Sequence, residues 1–306
     1  MKALDVVLLT ADKYLPSEEL NPLARNVILE NKLAGDALEK QGLKVATKSW
    51  SDATFDWSTT SFVMVRTPWD YFERFAEFMN WFTATSKKTN FINSHNLINW
   101  NIDKNYLKEL QGRGVHLPNT FFISKGAQIS LNGAMKNAEE QFGKSVGTWV
   151  LKPCIAGGAY NTYKLDKTET EAYEERFRQL IQDDDFMLQE FQWNIVEKGE
   201  ISLMLFQGQY SHAVIKNAKP GDFRVQDDYG GSVALYEASE QEIAFSKHVL
   251  KACTELPLYA RVDIFEDNSG ELALAELEIF EPELWFRLYP EAADLQAKAV
   301  KDRYFQ

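Results

Sequence analysis

The stretch YARVDIFEDNSGELALAELEIF, residues 259–280, decides the reading of this chain. It reads as two apolar strands joined by a turn at Asn268-Ser269-Gly270, with isolated charges set in apolar company. Glu276 and Glu278 are two apart on one strand, so their side chains face the same way. Asp263 lies on the partner strand. Three carboxylates on one sheet face repel each other unless cations sit between them, and a buried charge without a partner is costly. A donor set made only of oxygens points to Mg²⁺ or Mn²⁺ rather than zinc. The competing reading is a solvated strand face, which the flanking apolar residues and the scarcity of nearby bases weaken.

Upstream charges lie in similar settings. GTWVLKPCIA (147–156) reads as a strand carrying Lys152, followed by Pro153 and the pair Gly157-Gly158. Glycines let backbone N–H groups approach phosphate oxygens, and the ammonium adds a point charge. No GxxxxGK[ST] occurs, so this is not a Walker loop. An ordinary strand end with an exposed lysine explains Lys152 alone equally well. Arg224, in KPGDFRVQDDYGG (219–231) after Lys216, is either a surface arginine or a group that stabilises a transferred phosphoryl or acyl phosphate. QEFQW (189–193) with Gly199-Glu200 offers backbone groups for a base and a carboxylate for ribose hydroxyls, and says little by itself.

Composition narrows the function classes. The net charge of −12 argues against nucleic-acid and anionic-membrane partners. A few basic side chains and Mg²⁺ can still invert the field in one cleft. The two cysteines, Cys154 and Cys253, do not make a disulfide framework and suit a reducing cytoplasm. The N-terminal apolar run is too short for a membrane span and reads as a first strand. The histidines lack metal-ligand spacing and no GxSxG is present, so a serine or cysteine hydrolase is disfavoured.

Outward from the hairpin, the N-terminal third alternates strands (3–11, 43–50, 61–66) with helices (22–41, 69–86), which implies a parallel α/β domain. Residues 90–125 read as a connector in which Asp103-Lys104 opens a short helix ended by Gly112 and Gly114. A helix at 127–142, a charged helix at 171–182, a strand at 186–193, a hairpin at 199–217 and a helix at 240–255 complete an α/β and α+β chain. The units are expected at 1–92, 93–185 and 186–306. Ligands bind beyond the carboxyl ends of parallel strands, which singles out Arg66. An arginine fork matches a substrate carboxylate, so Arg66, Arg261 and Arg287 are candidate substrate residues or structural ion-pair partners. Trp69, Tyr71 and Trp285 either wall a cleft or fill the core.

The order of these elements resembles the ATP-grasp superfamily, in its glutathione synthetase and RimK-like branch, over roughly residues 90–290. RTPWDYFERF with LINWNIDKNYL is similar to the RimK-like enzymes that include the cycloserine-pathway cyclo-ligase. The resemblance implies an ATP-grasp fold behind an N-terminal parallel α/β domain. It implies an ADP-forming carboxylate–amine ligase that works through an acyl phosphate on small carboxylate and amine substrates. Relatives of this kind are often homo-oligomers. It assigns Lys104 and Lys152 to the ATP phosphates, with Gly157 and Gly158 in a closing loop. Gln189, Glu190 and Phe191 fall in the adenine hinge, and Glu200 on the ribose. Lys216 and Arg224 fall on phosphate or acyl phosphate, and Asp263, Glu276 and Glu278 on two Mg²⁺. The loop holds a single Gly pair where many relatives have more, and Glu278 stands where glutathione synthetases carry Asn. A nucleotide-binding regulator or phosphotransferase on the same fold is the alternative.

Overall fold

The computed structural model describes residues 2–222 and 230–305. The first sheet is parallel. It is formed by β1 (Leu4–Thr10), β2 (Val45–Ser49), β3 (Thr60–Thr67) and β4 (Asn90–Ile92), in the order β2-β1-β3-β4. Helix α1 (Pro22–Lys40) starts where the Asn21 side chain accepts from the Ala24 N–H, at 2.7 Å, with Pro22 in the first turn. The expected helix over 69–86 is shorter: α2 spans Phe75–Thr85. Residues before it are held in turns, because the Pro68 carbonyl accepts from the Asp70 and Tyr71 N–H groups and Asp70 Oδ1 accepts from Trp50 Nε1.

The stretch 90–125 holds more structure than a connector. Besides β4 it contains α3 (His95–Asn101), α4 (Tyr106–Gly112) and β5 (Thr120–Ile123). Asp103-Lys104 does not open the helix but forms a turn before it, where Asp103 Oδ1 accepts from the Asn105 N–H at 2.9 Å.

The second sheet is antiparallel in the order β5-β8-β6-β7. It combines β5 with β6 (Thr148–Pro153), β7 (Tyr163–Asp166) and β8 (Phe186–Glu190), backed by α5 (Leu131–Phe142) and α6 (Thr170–Asp183). Trp149, Leu151, Phe177, Ile181 and Leu188 form its core. Strand β8, which begins at the boundary expected after residue 185, pairs between β5 and β6 in this sheet. The strand expected over 186–193 stops at Glu190, and Trp193 begins α7 (Trp193–Lys198).

The third sheet, order β11-β10-β9-β12-β13, is antiparallel too. Its strands are β9 (Glu200–Phe206), β10 (Gln209–Asn217), β11 (Ser232–Tyr236), β12 (Tyr259–Glu266) and β13 (Leu272–Glu278), with α8 (Glu240–Lys251) between β11 and β12. The last helix, α9 (Glu291–Tyr304), packs on α1 and joins the first and third sheets in one apolar cluster. Among the described residues β13 has no strand on its outer side. There Asn101 Nδ2 donates to the Leu277 carbonyl (2.8 Å) and Asn101 Oδ1 accepts from the Ile279 N–H (3.1 Å). The Tyr106 hydroxyl donates to the Leu277 carbonyl (3.0 Å) and accepts from its N–H (2.9 Å).

Asn101→Ala leaves the buried Ile279 N–H unpaired, so it should cost about 2 kcal/mol of stability. A urea titration should show a lower midpoint at unchanged slope.

Candidate active site

The register of the hairpin sets the site. Asp263 lies directly opposite Glu276, and Arg261 opposite Glu278. An extra residue on β13 breaks the register just beyond Asp263. Like charges face each other in one pair and opposite charges in the next. The protein supplies the balancing cations. Arg261 forks onto Asp263, with Nε to Oδ1 at 2.9 Å and NH2 to Oδ2 at 2.8 Å, and also bonds Glu278. Lys216, on β10, reaches Asp263 at 3.1 Å and bonds Glu200, its cross-strand neighbour. Lys104 reaches Glu276 at 3.0 Å.

The expected metal triad is therefore not gathered on one point. Among the described residues no group of three or more Asp, Glu, His or Cys is placed to hold a metal ion. The oxygens are turned toward Arg261, Lys216 and Lys104 instead. The site still carries surplus carboxylate. Burial would raise the Asp263 pKa, but Arg261 and Lys216 hold it well below the usual range. Burial pushes Glu278 well up, against the pull of Arg261. Burial and neighbouring Glu276 push Glu281 up to about 7. Glu281 was not singled out from the sequence, although it follows Glu276 and Glu278 in the same acidic run.

Lys152 sits at the end of β6 and makes no ion pair among the described residues. Burial pulls its pKa down, while Glu276 and Glu200 pull it up from the facing sheet. Lys104 Nζ donates to the Ala156 carbonyl at 2.7 Å and so ties down the start of the glycine loop. Gly157 lies against Phe72 and Glu281, where an added Cβ would come within 3.3 Å of the Phe72 ring. Gly158 adopts φ +55°. Lys104, Ala156, Glu276, Glu278, Glu281 and Tyr71 line a cleft between these elements.

The hinge residues are fixed by side chains. Gln189 Nε2 donates to Thr120 Oγ1 (2.8 Å), and Glu190 bonds Asn119 (3.1 Å) and Lys144 (2.9 Å). Asn268, in the β12–β13 turn, donates to the Phe191 carbonyl and accepts from the Trp193 N–H, both at 2.9 Å. Lys164 lies 4.0 Å from the Phe191 ring centroid. Cys154 is buried and its thiol is pushed up to about 12, so it is no nucleophile.

The three arginines differ. Arg261 is taken by Asp263 and Glu278, and Arg287 bonds Glu283 and lies 3.8 Å from Glu30. Arg66 is fully buried, and among the described residues its Nε and both terminal nitrogens have no hydrogen-bond partner. Its only close ring is Phe286, at 5.3 Å among the described residues. Arg224 lies outside the described residues. Trp285 and Tyr71 are buried, and Trp69 Nε1 donates to the Glu281 carbonyl at 3.2 Å.

Known proteins match this architecture. Residues 6–93 match the family of the N-terminal domain of D-cycloserine synthetase DcsG. Cycloserine biosynthesis protein DcsG of Streptomyces lavendulae is 27% identical over 281 residues, covering 88% of this chain and 91% of that protein. The crystal structure of D-cycloserine synthetase DcsG superposes with a TM-score of 0.85 at 24% identity, over 97% of this chain and 99% of that one. The ATP-grasp ligase PsnB, solved with a phosphomimetic variant of its minimal precursor, Mg and ADP, gives a TM-score of 0.62 at 15% identity, over 96% and 99%. The chain has the ATP-grasp fold that its resemblance implied, and residues 6–93 are similar to the N-terminal domain of DcsG. No helix among the described residues is long and apolar enough to cross a membrane.

His212 anchors the segment that follows the site, with Nε2 2.9 Å from the Leu284 carbonyl. Burial lowers its pKa from 6.5 to about 4. A folded pKa below the unfolded one stabilises above pH 6.5 and is lost as the pH falls toward 4, by up to about 3 kcal/mol. Denaturation of wild type and His212→Gln at several pH values should show their stability difference shrinking over that window.

Proposed function

We propose that this chain is an ATP-dependent ligase that joins a carboxylate to an amine through an acyl phosphate, releasing ADP and phosphate. The observation that carries the reading is Lys152, left without an ion pair among the described residues where the second sheet faces Glu200 and Glu276 of the third. Three cations, Lys104, Lys216 and Arg261, already engage the carboxylates around it. One similar structure is named a synthetase, and another is named an ATP-grasp ligase and was solved with Mg and ADP.

In this reading Lys104 and Lys152 hold the ATP phosphates, and the loop with Gly157 and Gly158 covers them. Gln189, Glu190 and Phe191 face adenine, and Glu200 faces ribose. Asp263, Glu276 and Glu278 would hold Mg²⁺, two ions by the family pattern. The fit rests on donor chemistry: the ligands are hard oxygens, and the raised pKa values of Glu278 and Glu281 mark a charge surplus that a divalent cation relieves. Bound Mg²⁺ would neutralise charge on the transferring phosphoryl group. Lys216, with Arg224, stabilises the phosphoryl and then the acyl phosphate oxygens. The substrate carboxylate attacks the γ-phosphorus, ADP leaves, and the amine nitrogen displaces phosphate from the carbonyl carbon and loses a proton. No side chain needs to act as a nucleophile, in keeping with the inert Cys154. Arg66 belongs to the acceptor side, with Arg287 beside it, while Arg261 stays with Asp263 and Glu278.

ADP release from Mg-ATP should appear with some members of a panel of amino acids and dipeptides. Lys152→Ala should weaken ATP binding by calorimetry at least about 30-fold, the loss expected for one buried charged contact, with an unchanged melting temperature. Tight ATP binding without ADP release for any carboxylate would instead make the protein a nucleotide-binding regulator.

A further inference from the structure

An arginine buried without a partner needs an explanation, because an uncompensated buried charge destabilises a fold. Arg66 is such a residue: it has no exposure, and none of its three guanidinium nitrogens is bonded among the described residues. It ends a parallel strand, at the edge where such sheets bind ligands. Two carboxylates lie near it, Glu30 and Glu283, but each is committed elsewhere. Glu30 accepts from the Phe286 and Arg287 N–H groups at 3.0 and 2.8 Å, and Glu283 bonds Arg287.

The cover over Arg66 is unusual as well. Phe286 lies on the guanidinium, and the preceding Trp285 has φ +49°, a left-handed conformation that is costly for a bulky residue. The Trp285 indole N–H is buried and unbonded. Arg261 and Lys216 stand 5.1 and 5.8 Å from the Trp285 ring, so the cover separates Arg66 from the phosphate-facing cluster by one residue step.

We propose that Arg66 receives a free carboxylate of an amino-acid substrate, one that is not activated in the reaction. This rests on the ligase reading above. The fork of a guanidinium matches the two oxygens of a carboxylate. Glu30 and Glu283 lie close to Arg66, so a monoanion is tolerated there better than a phosphate dianion. The strained Leu284–Arg287 segment moves aside to admit the ligand.

The test uses the whole protein, with D- and L-amino acids each set against its α-carboxamide, and reads thermal stabilisation and ADP release separately. Wild type should be stabilised by an amino acid and not by its carboxamide. Arg66→Met should melt above wild type without ligand, because it removes an unpaired buried charge. It should bind that amino acid at least about 30-fold more weakly, with ATP affinity unchanged. Arg66→Lys, which keeps the charge and loses the fork, should fall between the two. The assignment is overturned if Arg66→Met binds the amino acid as wild type does, or if no amino acid stabilises wild type. Arg66-dependent binding without ADP release would overturn the ligase reading alone, and ADP release indifferent to Arg66→Met would overturn the Arg66 assignment alone.

Discussion

The balance of charge on the β12–β13 face constrains much of the rest of this structure. Asp263 is almost fully buried, and it is tolerated because Arg261, Lys216 and the Ser202 hydroxyl surround it. These partners come from β12 itself, from β10 and from β9, so the carboxylate is acceptable only in a sheet already assembled in the right register. Glu276 adds Lys104, which precedes α4 and also bonds the backbone of the glycine loop. One side chain thus links the third sheet to the loop that leaves the second. Buried ion pairs of this kind contribute little net stability, yet removing either member is expensive. Their value here is geometric: they place cations and carboxylates at fixed positions around one cleft.

The same principle explains how much could be read from the chain alone. The hairpin at 259–280 was legible because its two apolar runs and Asn-Ser-Gly turn are local signals. The shared face of Glu276 and Glu278 follows from strand geometry. The fold class followed from the order of elements along the chain. What was hidden depends on contacts distant in sequence. Lys104 meets Glu276, and Asn268 meets the carbonyl of Phe191, across separations that no local pattern reveals. The early start assigned to α2 came from apolar spacing that continues through Trp69–Arg74, where the turns after Pro68 and the Trp50–Asp70 bond win. Strand β4, with three residues, is too short to show a period. The three arginines looked alike in sequence, and only packing separates the paired Arg261 and Arg287 from the solitary Arg66.

Turns, too, carry more than connection here. The β12–β13 turn places Asn268 against the backbone of the segment after β8, and Asn194 Nδ2 donates to the Asp267 carbonyl at 2.7 Å. The second and third sheets are therefore joined at the hinge by hydrogen bonds as well as by apolar contact.

The outer side of β13 has a meaning beyond stability. A bare strand edge is a template on which another chain can add, and proteins guard such edges against sheet growth between molecules. Asn101 and Tyr106 occupy the hydrogen-bonding positions that an incoming strand would need. The same two side chains that hold the backbone beside Glu276 and Glu278 thus also guard this edge against pairing with another chain.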